Sequence, residues 1–80
     1  MKPPFNKLSH AESERLHLLS EECAEVIKAI NKILRHGYES FNPLVANSKS
    51  NRADLEQELG EVLIAMDLLY DSKGISRQMV

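Results

Sequence analysis

The chain has 80 residues, 42% of them hydrophobic and 28% charged, with a net charge of −2, one cysteine and no tryptophan. That length makes a single domain with one small core, and the near-balanced charge leaves no case for a nucleic-acid surface. A lone cysteine excludes an internal disulfide and suits a reducing, cytoplasmic setting, while no stretch is apolar enough for a signal peptide or a membrane span.

Residues 1–8 carry two prolines and read as an N-terminal arm, with Phe5 or Leu8 able to dock. Ser9-His-Ala-Glu12 is a capping box that opens a helix. The helical pattern then runs unbroken to His36, and Gly37 is placed to end it. A helix over 9–36 spans about 40 Å at 1.5 Å per residue, unless it kinks near Ser20. Leu16, Leu19, Cys23, Val26, Ile30 and Ile33 recur at steps of three and four and form its apolar seam. Cys23 on that seam reads as a packing residue and not a nucleophile. Glu12 and Glu14 near the start, with Lys32, Arg35 and His36 near the end, suit the helix macrodipole.

Residues 37–50 form a loop with a turn at Asn42-Pro43, long for a helix–helix connection, which usually takes about two to eight residues. A second helix is expected over 51–73, with Asn51 as N-cap, Asp54 in its first turn and Lys73-Gly74 as its stop. Leu55, Leu59, Val62, Met66 and Leu69 make its seam. Ile64, Leu68 and Tyr70 fall off that seam, which calls for a second surface between chains. Residues 75–80 are a tail. The fold class is therefore all-α: two long antiparallel helices in one domain over 9–74, so small that another copy of the chain is needed to finish the core.

Two acidic words stand out, Glu22-Cys-Ala-Glu25 and Glu58-Leu-Gly-Glu61. Each puts two carboxylates on one helix face, and extra acids crowd them, Glu21 four residues before Glu25 and Asp54 four before Glu58. Like charges at these spacings cost a helix a few tenths of a kcal/mol each. In an antiparallel pair both words flank the core near mid-length, so four carboxylates could surround one pocket. Two of them about 5 Å apart repel by about 3 kcal/mol at an effective dielectric near 20. A hard divalent cation removes that repulsion and prefers such oxygens, and the lack of matching His or Cys argues against zinc. The other reading is two ordinary solvated faces. Glu14-Arg-Leu-His17 is half of a di-iron pattern that needs two such words, so His17 is read as a flanking residue. Arg52 and Glu56 read as a surface pair, and Asp67 and Asp71 as facing water. Lys28, Lys32, Arg35 and His36 continue beyond the acids of the first helix. Metal at mid-helix with cations at one end suits a polyphosphate.

Glu-Glu-Cys-Ala-Glu-Val (21–26), Arg-His-Gly (35–37) and Leu-Glu-Gln-Glu-Leu-Gly-Glu-Val-Leu (55–63) resemble the MazG-like all-α nucleoside triphosphate pyrophosphohydrolases, over about residues 15 to 70. That superfamily carries Glu-x-x-Glu on one helix and Glu-x-x-Asp on a later one. The resemblance puts Glu22, Glu25, Glu58 and Glu61 forward as ligands of Mg²⁺, with Mn²⁺ as a substitute. Glu61 stands where the family more often has Asp, and the spacing between the words is long. The resemblance further implies cleavage of a nucleoside triphosphate between its α and β phosphates, with Glu25 or Glu21 as the base and Lys32, Arg35 and Arg52 as phosphate contacts. It implies a four-helix bundle completed by a homodimer, or a homotetramer of paired dimers. The rival reading is a helical homo-oligomer without catalysis, acting as an interaction or regulatory module.

Overall fold

The capping box forms as the first helix begins. Ser9 Oγ accepts from the Glu12 amide at 3.1 Å, and Glu12 Oε1 accepts from the Ser9 amide at 2.8 Å. Hydrogen bonding to the carboxylate, from the Ser9 amide first and then the Ser9 side chain, holds the Glu12 carboxyl below the usual carboxylate range. From this cap α1 (His10–His36) runs without interruption past Ser20. It ends at Gly37, whose φ of 88° suits a residue without Cβ and whose amide donates to the Ile33 carbonyl at 2.7 Å.

The computed structural model describes residues 5–80. In it α1 and α2 (Asn51–Asp71) pack antiparallel as an all-α hairpin of 50 × 32 × 21 Å, with no strand among the described residues. No described helix is long and apolar enough to cross a membrane. Of the arm, residues 1–4 lie outside the described part. Phe5 is fully exposed, while Leu8 is half-buried beside Leu16 and Leu69.

The loop earns its length by capping both helices. The amides of Asn51 and Arg52 at the start of α2 donate to the carbonyls of Ser40 and Tyr38, at 2.7 and 2.8 Å. Within the loop, the Asn42 side chain accepts from the Leu44 amide and Ser48 Oγ accepts from the Asn42 amide, which folds the segment back on itself. Ser50, and not Asn51, is the N-cap of α2: its side chain accepts from the Ala53 amide at 3.2 Å. Asn51 turns inward instead. It is the one buried polar residue among those described, and its Nδ2 donates to the Gly37 carbonyl at 3.1 Å and the Lys32 carbonyl at 3.5 Å. One side chain thus ties the end of α1 to the start of α2 and gives the Gly37 carbonyl, which lies past the end of α1, a partner.

Asn51→Ala removes both donors from a buried site. The expected loss is about 1–2 kcal/mol, seen as a melting temperature lower by roughly 5–15 °C in a domain of this size. Asn51→Asp keeps the shape but points an acceptor at two acceptors, so it should melt lower still. Equal melting of the Ala variant and the wild type would show that these bonds do not hold the hairpin closed.

The contact between the helices is narrower than the apolar seams. Among the described residues, Ala29, Ala65 and Leu69 are the only buried apolar side chains, while Leu16, Ile30, Leu59 and Cys23 are exposed. The facing stripe on α1 runs through Leu19, Glu22, Val26, Ala29 and Ile33, and on α2 through Asn51, Glu58, Val62, Ala65 and Leu69. It sits about one residue round from the expected seam. Two helices can cover only a sector of each other, and the small side chains at Ala29 and Ala65 let that sector close. The bulky residues beside it remain open. Cys23 is therefore surface in the single chain, not core.

Candidate functional site

That rotation moves the acids from beside the core onto its edge. Glu22 and Glu58 are half-buried in the facing stripe, while Glu21, Glu25 and Glu61 are exposed next to it. Two right-handed helices running antiparallel turn Glu25 and Glu61 to the same side of the hairpin. The electrostatics agree. The Glu22 carboxyl is pushed above the usual carboxylate range, first by the loss of water as it packs on α2, then by the negative charges of Glu61, Glu58, Glu25 and Glu21. The two acidic words thus meet in space, from both helices, with Glu22 at their centre.

They do not yet stand as a closed ligand set. Among the described residues no group of three or more His, Cys, Asp or Glu side chains is arranged to hold a metal ion. The chemistry of the donors nonetheless fits one kind of ion. All five are carboxylates, the hard oxygen donors that Mg²⁺ and Mn²⁺ prefer, and their mutual repulsion at Glu22 is the charge imbalance a divalent cation would cancel.

Of the three cations put forward as phosphate contacts, two lie on the acid side. Lys32 is seven residues past Glu25, two turns along the same face, and Arg35 follows it. Both line an open cavity of about 580 Å³ between the end of α1 and the 37–50 loop, together with His36, Phe41, Lys49 and Asp54. Arg52 is placed differently. It follows the inward-facing Asn51 and turns to the opposite side, where its Nε pairs with Glu39 at 2.8 Å and its guanidinium stacks 4.4 Å from the centre of the Tyr38 ring. The pairing with Glu56 read from the sequence gives way to this loop contact. Asp67, read as facing water, accepts from Arg77 at 3.2 Å on an exposed surface, a bond worth little.

Lys49 is the residue that sequence reasoning missed. It is a lone cation in a loop, with no period to mark it. The fold brings its ammonium onto the Gln57 side-chain oxygen, and Gln57 is four residues before Glu61 on α2. The loop thereby delivers a positive charge to the rim of the acid cluster.

A family model described as the MazG nucleotide pyrophosphohydrolase domain matches residues 10–78. Neither a curated protein nor a solved structure gives a match. The family match takes in both helices, both acidic words and the capping loop between them, and the chain belongs to the MazG nucleotide pyrophosphohydrolase family.

Proposed function

We propose that the chain is a Mg²⁺-dependent nucleotide pyrophosphohydrolase, with Mn²⁺ as a substitute, that splits a (deoxy)nucleoside triphosphate into its monophosphate and pyrophosphate. The observation that carries this reading is the convergence of Glu21, Glu25, Glu58 and Glu61 on Glu22. Glu22, Glu25, Glu58 and Glu61 would hold the ion. When bound, it supplies charge neutralisation at the phosphate oxygens and a more acidic water.

The chain's own groups do the rest. Glu25, or Glu21 four residues before it, takes a proton from the water whose oxygen attacks the α phosphorus. The new P–O bond forms as the bond from the α phosphorus to its bridging oxygen breaks. The electron pair leaves on pyrophosphate, and the carboxyl later returns its proton to solvent. Lys32 and Arg35 hold phosphate oxygens. Arg52 acts at one remove, fixing the loop through Glu39 and Tyr38. Two copies joined through their open apolar faces complete a four-helix bundle, alone or as half of a tetramer.

A panel of canonical and modified nucleoside triphosphates, assayed with Mg²⁺ and with Mn²⁺, tests the reading. Release of pyrophosphate and monophosphate in equal amounts is expected. Orthophosphate as the product would move the cleavage to another phosphoanhydride. No turnover across the panel with either ion would leave the helical, non-catalytic module as the better description.

A further inference from the structure

The side of the hairpin that carries the acids differs at its two ends. Toward the loop, Lys32 lies seven residues past Glu25 and Asp54 seven before Glu61, and the loop-end cavity opens there. Toward the other end, Leu18 lies seven residues before Glu25, and Ile64 and Leu68 lie three and seven beyond Glu61. Seven residues are about 10 Å of helix axis. The acid cluster is thus flanked by a cationic cavity on one side and aliphatic side chains on the other, of which Ile64 and Leu68 are exposed.

The cavity has a local charge opposite to that of the whole chain. Lys32, Arg35 and Lys49 face one carboxylate, Asp54, in a protein whose net charge is −2. None of these three cations is in an ion pair among the described residues, where the ion pairs are His10–Glu14, Arg52–Glu39 and Arg77–Asp67. Lys49 is turned toward the acids by its bond to Gln57. Uncommitted cations at the mouth of a cavity suit a small, multiply charged anion with many acceptor oxygens.

We infer that the substrate lies along this track in one direction: its β and γ phosphates, and then the departing pyrophosphate, sit in the loop-end cavity against Lys32, Arg35 and Lys49, while its nucleoside lies toward Leu18, Ile64 and Leu68. The inference rests on the hydrolase reading for its orientation, but not for the anion site itself. Pyrophosphate carries most of the product's charge, so the end of the track with the cations receives it. The base, an uncharged flat surface, goes to the aliphatic end. The loop then governs release of the leaving group and not the choice of base.

Calorimetric titration with two probes, pyrophosphate and a deoxynucleoside monophosphate, each with Mg²⁺ present, separates the two ends. In the triple variant Lys32→Gln, Arg35→Gln, Lys49→Gln, pyrophosphate should bind about tenfold or more weakly, and the monophosphate within twofold of wild type. All three side chains lie in or beside the cavity and the fold does not depend on them; a melting curve checks this. Loss of monophosphate binding with pyrophosphate unchanged would reverse the orientation. Equal loss of both, loss of neither, or no binding of pyrophosphate by the wild type would each overturn the inference. A wild type that shows the expected pattern yet cleaves no nucleotide keeps the pyrophosphate site and loses the hydrolase. One that cleaves nucleotides while the triple variant binds pyrophosphate unchanged keeps the hydrolase and loses the site.

Discussion

Glu22→Gln is expected to lower turnover about a thousandfold and, in the same protein without metal, to raise the melting temperature. The two effects have one cause. Glu22 is half-buried in the facing stripe and surrounded by four other carboxylates, so its negative charge is unfavourable until a cation arrives. Gln has nearly the same shape and no charge, so it relieves the apo protein. It also removes one of the proposed metal ligands, and a metal's stabilisation of developing charge is worth several kcal/mol, with a factor of ten in rate for each 1.36 kcal/mol. The pH dependence follows in sign. The folded protein holds the Glu22 proton more tightly than the unfolded chain does. Its contribution to stability is therefore full below the ordinary carboxylate value and is lost as pH rises through the raised one. Metal-free wild type should melt at a higher temperature when acidified from neutral pH into that window, and Mg²⁺ should restore the loss at neutral pH. In Glu22→Gln both responses should shrink. Glu14→Gln, on exposed α1 surface beside His10, serves as the control with unchanged turnover. Melting curves with chelator and with Mg²⁺ at two pH values, beside initial rates, decide the matter. A Glu22→Gln protein that keeps its turnover, or melts lower than wild type without metal, would remove this carboxylate from the site.

The fold was largely legible in the sequence because its signals are local. The capping box at Ser9 and Glu12 needs four residues, and the stop at Gly37 needs one with positive φ. The helical class follows from apolar spacing over many turns, with no partner needed. What was hidden depends on contacts between distant segments. Ser50 and Asn51 are adjacent polar residues, either of which can cap a helix, and only the approach of the Gly37 and Lys32 carbonyls draws Asn51 inward. The seam misled by about one residue because a wide apolar stripe records every surface a helix will cover, in one chain or several. The intramolecular share of it, centred on Glu22, Val26 and Ala29, has no separate mark. The acids were visible as paired words, but that Glu22 and not Cys23 packs inward was not. The resemblance put Arg52 forward as a phosphate contact, and its neighbours Tyr38 and Glu39 lie across a loop whose path no periodicity records.

Leu63→Glu is expected to dissolve the proposed dimer and, with it, most of the fold. The single chain exposes 6576 Å², whereas a compact protein of 9.1 kDa exposes about 4,900 Å² by the usual scaling of surface with mass. The excess is about 1,700 Å² per chain, and two chains hiding it would make an interface in the range of obligate dimers, about 2,000–5,000 Å² in total. The surface in question is contiguous. On α1, Leu16, Cys23, Ile27, Ile30 and Leu34 recur at steps of seven, four, three and four, and on α2, Leu59, Leu63 and Met66 do the same. Antiparallel packing puts both stripes on the side of the hairpin away from Glu25 and Glu61, so a partner can cover them and leave the acids open. With Ala29, Ala65 and Leu69 the only apolar side chains buried among the described residues, the hairpin alone has little to hold it together. A glutamate at position 63 is buried twice in a symmetric pair. At about 2 kcal/mol or more for each copy, the dissociation constant rises at least about a thousandfold. In the dimer proposed above the fold depends on the partner, so unfolding should be concentration-dependent in the wild type. In the variant, melting should be broad and early, and nucleotide turnover lost. Leu44→Glu, in the loop at 92% exposure, is the control that leaves assembly and melting unchanged. Sedimentation velocity across a range of micromolar concentrations reads the outcome directly. A wild type that stays monomeric and melts sharply, or a Leu63→Glu protein that sediments as wild type does, would show that the apolar side of the hairpin is not where copies of this chain meet.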